Sequence, residues 1–226
     1  MSEKTLKFID VAYSYPKGGF SLFIDELTLA SDEITFITGD NGSGKTTLAK
    51  LMSGVIKPAK GEIILMGRPS GALSLGEIGK MVGYLWQNPR QQLFAQSVSE
   101  ELTFMEEIKR PKMTREEKEE AFKSAIGRLE YFDLAHLSEK SCFHLSHGER
   151  QRLAIAAVIA AGAEYLVLDE PTKGLDAKRK KALADILIKL RDENKTGMSI
   201  ISHDEEFKAE LMERLIRLDK GRIVDE

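Results

Sequence analysis

The chain has 226 residues, of which 42% are apolar and 31% are charged, enough for a packed core and too apolar for a disordered chain. Its 36 acidic and 33 basic residues give a net charge of -3, which excludes a global basic field that would hold nucleic acid. The single cysteine, Cys142, excludes an intrachain disulfide and a cysteine-based zinc cluster, and one unpaired thiol is typical of a reducing compartment.

The first part of the chain is predicted to contain strands and one helix. Residues 4–30 alternate apolar and polar side chains, which predicts short antiparallel strands joined by a turn at 16–19. The apolar run 34–38 predicts a buried strand that ends in a glycine-rich loop, and a helical pattern follows from 45 to about 55. Two further short strands are predicted at 62–66 and 81–86.

Residues 90–140 differ from the rest of the chain, with many Glu and Lys residues, helical spacing and few β-branched residues. Thr114 stands where a helix N-cap is expected, with Glu117 at the capping-box position. We therefore predict a mostly helical lobe, inserted at about 88–144 into one domain that spans residues 1–226.

The last part of the chain alternates helices and strands, which predicts a mostly parallel sheet covered on both faces and an α/β fold. The longest apolar stretch is shorter than the ~20 residues that cross a bilayer, and the charged N-terminus lacks an apolar signal core. The chain itself is therefore expected to be neither secreted nor inserted in a membrane. Helices are predicted at about 147–161, 177–194 and 204–212, strands at 165–168 and 198–202, and a hairpin at 214–225.

A glycine-rich loop carries the most informative motif. Residues 39–46, GDNGSGKT, fit G-x-x-x-x-G-K-[ST] without a mismatch. Glycines let the backbone curl so that amide N–H groups converge on phosphate oxygens, and the following helix directs its positive N-terminus at the same anion. Lys45 is expected to reach the β- and γ-phosphates, and the Thr46 hydroxyl to ligate Mg²⁺. A turn that merely ends a strand is the alternative.

Two acidic residues, Asp169 and Glu170, follow the apolar run 165–168. Side chains alternate along a strand, so the two carboxylates are expected to point in different directions. Asp169 is a candidate to hold Mg²⁺, in part through water, and Glu170 is a candidate general base for the attacking water. An ordinary acidic strand end is the alternative, and the phosphate loop favours the catalytic interpretation.

A third motif indicates one family. Residues 145–152, LSHGERQR, resemble the LSGGQ-x-Q-R signature of the ATP-binding cassette ATPases, which is nearly private to that family. The order of the motifs is also similar: phosphate loop, Gln87 after a strand, signature, acidic pair, and His203 in the run ISHD. Residues 174–176 resemble the family's D-loop. The resemblance covers essentially the whole chain.

The resemblance implies a fold and a mode of action. The implied fold is a RecA-like P-loop NTPase core with a mostly parallel sheet, an N-terminal antiparallel β subdomain and an inserted α-helical subdomain. Two subunits would form a head-to-tail dimer, with ATP between the phosphate loop of one subunit and the signature of the other. Hydrolysis of ATP would then let the subunits separate.

The resemblance also implies which residues contact ATP and Mg²⁺. Gln87 is expected between the lobes, with its amide oxygen near Mg²⁺ or the attacking water. His203 is expected to contact the γ-phosphate and to orient Glu170 or the water. The implied ATP contacts are Tyr15, Gly39, Asp40, Asn41, Gly42, Ser43, Gly44, Lys45, Thr46, Thr47, Ser146, His147, Gly148 and Glu149, and the implied metal ligands are Thr46, Gln87 and Asp169.

Several of these residues have simpler interpretations. Ser146 with Glu149 three residues later is itself a capping box, which is compatible with a role in binding ATP. The resemblance implies that Tyr15 stacks on the adenine ring of ATP, and the nearby Tyr13 is an alternative for this role. His147 replaces the first glycine of the signature, and its side chain would crowd or newly bond the ATP of the opposite subunit.

Residues 84–94, YLWQNPRQQLF, resemble the energy-coupling-factor branch of the family, importers of vitamins and of cobalt or nickel ions. Val98 and the acids Glu100 and Glu101 continue the match, although the branch more often has aspartate at the position of Glu101. The resemblance implies that this helix packs against coupling helices of a transmembrane partner, with its acids facing arginines. A solvated acidic helix start is the alternative.

The resemblance therefore implies an ATPase subunit that energises a membrane importer from the cytoplasmic side, peripheral to the membrane and without nucleic acid. The working pair would be a homodimer or a heterodimer with a similar cassette. A soluble cassette ATPase of DNA repair or translation, a nucleotide-gated scaffold with little hydrolysis and a phosphate-loop kinase are the alternatives. Soluble cassette ATPases usually have two cassettes or long coiled-coil insertions. The presence of both Glu170 and His203 argues against a scaffold that does not hydrolyse ATP. A kinase would not need the signature-like residues 145–152.

Overall fold

Strands and helices alternate along most of the chain in the computed structural model, which describes residues 5–16, 18–109 and 112–225. In these residues the strands are β1 (Thr5–Ser14), β2 (Ser21–Ala30), β3 (Ile34–Thr38), β4 (Lys60–Leu65), β5 (Arg68–Pro69), β6 (Val82–Leu85), β7 (Tyr165–Asp169), β8 (Gly197–Ile201), β9 (Arg214–Asp219) and β10 (Arg222–Asp225). The helices are α1 (Lys45–Met52), α2 (Leu75–Met81), α3 (Val98–Lys109), α4 (Arg115–Tyr131), α5 (His147–Ala160), α6 (Ala177–Asn194) and α7 (Glu205–Leu211). Their arrangement confirms the predicted α/β class.

The N-terminal strands form an antiparallel sheet in the order β2-β1-β4-β5. Alternate residues of β1 and β2 face the same side, and Leu6, Phe8, Leu22 and Leu29 are fully buried there. This is the period of two that the sequence shows over residues 4–30, because one face of the sheet packs on a core and the other meets solvent.

The second sheet has the order β10-β9-β3-β8-β7-β6, with β6, β7, β8, β3 and β9 parallel and β10 antiparallel at one edge. Its central strands β3, β8 and β7 are buried at nearly every position because both of their faces are covered. On β7, Tyr165 and Val167 pack in one hydrophobic cluster with α1, whereas Leu166 and Leu168 pack in the other with α5 and α6. The carboxyl ends of β3, β7 and β8 therefore lie side by side and lead into the loops that carry the predicted motifs.

Helices α3 and α4 lie between β6 and α5 in the chain and pack on each other and on α5. Val98 and Leu102 of α3 join the same core cluster as Ala125 and Leu129 of α4. The predicted capping box at the start of α4 is present, because Thr114 accepts from the Glu117 N–H and the Glu117 carboxylate accepts from the Thr114 N–H. These helices supply the inserted helical part of the predicted fold class, and its bounds of about 88–144 stay a prediction.

Two local features differ from the sequence prediction. Helix α1 ends at Met52 instead of near residue 55, because Gly54 follows with a φ of 67° and turns the chain away. Helix α2 has no counterpart in the prediction, although Ser74 and Glu77 form a complete capping box at its start. None of the helices in the described residues is long and apolar enough to cross a membrane.

Candidate active site

The glycine-rich loop between β3 and α1 needs glycine at defined positions. Gly39 has a φ of 141° and Gly44 a φ of 112°, conformations that residues with a Cβ rarely adopt. A Cβ on Gly39 would lie 2.1 Å from the carbonyl oxygen of Leu218, and one on Gly44 would lie 2.7 Å from Cζ of Phe20. The loop is therefore closely packed against β9 on one side and the start of β2 on the other.

Lys45, the first residue of α1, lies over this loop. Its Nζ donates to the carbonyl oxygens of Gly39 at 2.7 Å and Asp40 at 2.9 Å, and the residue is only 9% exposed. The ammonium group is thus placed at the helix N-terminus, where a polyphosphate would gain both a full positive charge and unpaired amide donors.

Thr46 and Asp169 join two motifs that are distant in sequence. The Thr46 hydroxyl donates to Oδ2 of Asp169 at 3.0 Å, and Asp169 is 1% exposed. Burial raises the pKa of the Asp169 carboxyl, and Glu170 next to it acts in the same direction, while Thr46 and Lys45 act against them. A hydroxyl and a carboxylate are hard oxygen ligands of the kind that Mg²⁺ takes alongside waters and substrate phosphates.

Glu170 follows the last residue of β7, so strand alternation does not decide its direction. It has a φ of 55°, in the left-handed region, and its N–H donates to the carbonyl oxygen of Ile201 at 2.8 Å. Its Oε1 lies 3.6 Å from Nε2 of His203. Alternation along a strand is the reason for expecting the Asp169 and Glu170 carboxylates to point in different directions. That reason does not apply, because β7 ends at Asp169 and Glu170 lies outside it.

A cleft of about 390 Å³ brings most of the predicted residues together. Tyr15 lines it, with its hydroxyl 3.4 Å from Oγ1 of Thr47, whereas Tyr13 packs edge-on against the Tyr15 ring and is not part of the lining. Sequence reasoning missed Phe20, which has no motif around it. The lining residues are Tyr15, Phe20, Asn41, Gly42, Gly44, Lys45, Thr46, Thr47, Gln87, Asp169, Glu170, Ile201 and His203.

Gln87 reaches the cleft from the loop after β6. The backbone just before it is held by Gln92, a residue of the run 84–94 to which the sequence assigns no role. The Gln92 side chain accepts from the Trp86 N–H at 3.1 Å and donates to the Tyr84 carbonyl at 2.9 Å. Gln92 thereby fixes the end of β6 and the start of the loop that carries Gln87.

The signature residues Ser146, His147, Gly148 and Glu149 do not line this cleft. Ser146 caps α5 in a full capping box: its N–H donates to Glu149 at 2.6 Å and its hydroxyl accepts from the Glu149 N–H. This confirms the predicted cap, and the hydrogen bond from the Ser146 N–H lowers the pKa of Glu149. The signature helix therefore presents its N-terminus elsewhere on the surface.

A groove of about 250 Å³ lies apart from the cleft, where β6, α2, α3 and α5 meet. Its rim includes two large apolar side chains that solvent reaches, Leu75, 61% exposed, and Phe94, 54% exposed. Glu101 lies in the same lining and is 5% exposed. The groove thus combines an apolar rim with one buried carboxyl.

Glu101 is held in place by the loop before α3. Its Oε2 accepts from the N–H of Phe94 at 3.0 Å and of Ala95 at 2.8 Å. Burial raises the pKa of the Glu101 carboxyl, although these two hydrogen bonds act in the opposite direction. Glu100, the other predicted partner contact, accepts from the Ser97 N–H at the helix start and does not line the groove.

Comparison with known proteins identifies the family. Residues 24–173 match the model of the ABC transporter family. The chain belongs to this family. It is 38% identical over 201 residues to a protein of Pyrococcus furiosus named as an ABC transporter ATP-binding protein, covering 88% of this chain and 75% of the relative. A similarly named protein of Geobacter sulfurreducens is 36% identical over 213 residues, covering 94% of this chain and 75% of the relative.

Solved structures of cassettes have the same fold. The dimeric post-hydrolysis state of the ATP-binding cassette MJ0796, bound to ADP and Pi, matches with a TM-score of 0.86 at 25% identity, covering 97% of each chain. The structure of cbiO1 from Clostridium perfringens, part of the ABC transporter complex cbiONQ, matches with a TM-score of 0.80 at 27% identity, covering 100% of this chain and 88% of the other. This ABC cassette therefore binds and hydrolyses ATP.

Proposed function

We propose that this cassette is the ATP-hydrolysing subunit of a membrane importer of the energy-coupling-factor type, bound to the cytoplasmic face of the membrane. The observation that carries this proposal is the buried carboxyl of Glu101 in a mostly apolar groove. The run 84–94, which includes Gln87 and Phe94, supports it, as does the likeness to cbiO1, which is part of a transporter complex.

The groove fits a short helix of a transmembrane partner that carries one arginine. Exposed Leu75 and Phe94 would cover apolar side chains of that helix. The Glu101 carboxylate would pair with the guanidinium through Oε1, since Oε2 already accepts from two backbone N–H groups. Two backbone amides donate hydrogen bonds to Oε2 of Glu101, and these bonds keep the carboxylate in place in the wall of the groove.

The residues that line the cleft would have different roles in the hydrolysis of ATP. Lys45 and the loop amides would bind the β- and γ-phosphates, and Tyr15 would stack on the adenine. Thr46, Asp169 and Gln87 would hold Mg²⁺, which supplies charge neutralisation at the phosphates when bound. Glu170 would accept a proton from the attacking water, and His203 would orient Glu170 from 3.6 Å away.

Closure of a head-to-tail pair is the proposed source of mechanical work. The signature residues lie outside the cleft of their own chain, so they are free to contact ATP bound to the other subunit. His147 lies against the D-loop, since a Cβ built on Gly174 would be 3.5 Å from its Cδ2. The His147 ring would alter the contacts that the signature makes with ATP on the opposite subunit. Because one of two paired sites could then differ from the other, the working pair is either a homodimer or a heterodimer with a similar cassette.

Gentle solubilisation and co-purification tests this proposal. The cassette is expected to bring down a multi-span membrane protein, and Glu101→Gln is expected to weaken that complex by about 2–5 kcal/mol, the usual cost of removing one partner of a buried charge pair. Glu100→Gln is the matched control and should leave the complex intact. If wild-type cassette brings down only soluble or nucleic-acid partners, the importer proposal fails.

A further inference from the structure

Gln151 connects the helix that carries the signature to the backbone of Glu170. It lies one turn into α5, four residues after His147, and is 1% exposed. Its Nε2 lies 3.2 Å from the carbonyl oxygen of Glu170 and 3.4 Å from that of Pro171. This side chain therefore links the signature helix to two adjacent residues that lie 19 and 20 positions further along the chain.

The choice of an amide at this position is not explained by packing. Carbonyl oxygens only accept hydrogen bonds, so the amide nitrogen of Gln151 must face them. Its Oε1 is then buried without a hydrogen-bond partner in the described part of the chain. An apolar side chain of the same size would fill the space without burying an unsatisfied oxygen. The amide is explained instead by the hydrogen bonds that its nitrogen donates to the carbonyl oxygens of Glu170 and Pro171.

The backbone of Glu170 is a segment that needs holding. Its φ of 55° is uncommon for a residue with a Cβ, and such a conformation persists only where the surroundings impose it. The N–H of Glu170 donates to Ile201 in β8, and its carbonyl accepts from the Gln151 side chain in α5 and from the Lys173 N–H in the following turn, each at 3.2 Å. Strand and helix thus fix the two sides of the residue whose carboxylate faces His203.

We propose that Gln151 is a positioning residue that places the Glu170 carboxylate for catalysis. The proposal rests on the proposed role of Glu170 as general base. Because Gln151 belongs to the helix that begins at the signature, its hydrogen bond also ties that helix to the backbone of Glu170 in the same chain.

Kinetics of a small set of variants tests the proposal. Gln151→Met keeps the length of the side chain and removes the amide. It is expected to lower kcat by about 10–100-fold, as displacement of a catalytic group does, with an unchanged KM for ATP. In a Glu170→Gln background the same change is expected to add less than about twofold, because no base remains to be positioned.

Two further variants separate positioning from loss of structure. Tyr165→Phe removes a buried hydrogen bond to Ser199 at the opposite end of β7 and should lower Tm while leaving kcat unchanged. Gln151→Glu keeps the shape, and since burial raises a carboxyl pKa, its protonated form can donate to the same carbonyls. Its kcat relative to wild type is therefore expected to recover as the pH is lowered, which mere destabilisation would not produce.

Each contrary result has a distinct meaning. A wild-type kcat for Gln151→Met, or an equal loss with and without Glu170, would overturn the role of Gln151 while leaving the base in place. If Gln151→Met does not fold, a Gln151→Glu variant with no recovery at low pH overturns the proposal instead. Wild-type turnover of Glu170→Gln alone would reject the general base, and with it both the proposed chemistry and the residue that positions it.

Discussion

The hydroxyl of Thr46 donates a hydrogen bond to Oδ2 of Asp169 at 3.0 Å, and so joins the first turn of α1 to the end of β7. The contact spans 123 positions in sequence, and both residues line the same cleft as Lys45. It places one hydroxyl and one buried carboxylate where a metal that also binds phosphate would need them. Among the described residues no group of three acidic, histidine or cysteine side chains is placed to hold a metal, so phosphate and water oxygens would complete a metal site built on Thr46, Asp169 and Gln87.

Thr46→Ala is expected to raise the Mg²⁺ concentration that gives half-maximal ATPase activity by about 10–100-fold, the usual cost of losing such an oxygen partner. The change also removes a hydrogen bond that lowers the pKa of Asp169. Asp169 then loses its charge at a higher pH, so the acid limb of the activity profile should move to higher pH. Thr46→Ser keeps the hydroxyl and should behave like wild type. An unchanged Mg²⁺ requirement in Thr46→Ala would remove Thr46 from the metal site.

Glu170→Gln is expected to retain ATP binding and to lower turnover by about 100-fold or more, as the loss of a general base does. The amide keeps the size of the side chain but cannot take a proton. Because ATP then remains uncleaved, two cassettes should stay together, and size-exclusion chromatography with Mg²⁺ and ATP should show a stable dimer. Turnover near the wild-type rate, or no change in size with ATP, would contradict the assigned base.

The phosphate loop offers a matched pair of glycine substitutions. Gly42 has a φ of 82° and open space where a Cβ would be, so Gly42→Ala should cost only the ~1–2 kcal/mol of a left-handed residue. Gly39→Ala would place its Cβ 2.1 Å from the Leu218 carbonyl, and backbone of β9 would have to move. Thermal unfolding and nucleotide binding should both show a larger loss for Gly39→Ala. Equal losses would mean that contact with β9 does not shape the loop.

Regular elements were predictable because burial leaves a periodic trace in the sequence. The run 34–38 lacks charged residues and is mostly apolar since β3 is covered on both faces, and residues 177–194 show the helical spacing of α6. Helix α2 was missed because it has 7 residues, too few for a clear period, although its capping box of Ser74 and Glu77 was readable.

The site was predictable where motifs are local and less so where folding brings distant residues together. Lys45 and Thr46 follow from the spacing of one loop. No pattern shows that Glu170 adopts a left-handed backbone, since two of the hydrogen bonds that hold it come from Ile201 and Gln151 in other elements. Likewise, the sequence places Glu101 at an acidic helix start, and only the packing of α3 shows that it is buried in the groove.

Glu101 is expected to reduce the stability of the isolated cassette. Burial raises the pKa of its carboxyl, so the folded chain binds a proton more readily than the unfolded chain. Stability therefore falls as the pH rises through the raised pKa, and the ionised carboxylate is a cost at neutral pH. Glu101→Gln removes this charge while its amide oxygen can still accept from Phe94 or Ala95.

The variant should accordingly unfold at a higher temperature at neutral pH, by about 2–4 °C if the gain is ~1 kcal/mol in a domain of this size. The gain should shrink as the pH is lowered, because wild-type Glu101 then becomes neutral as well. Glu100→Gln, at the exposed helix start, should leave Tm nearly unchanged. A more stable cassette that has lost its membrane partner would show that the buried carboxyl is kept for binding at the expense of stability. A Glu101→Gln variant that is less stable at every pH would show instead that the carboxylate serves the fold.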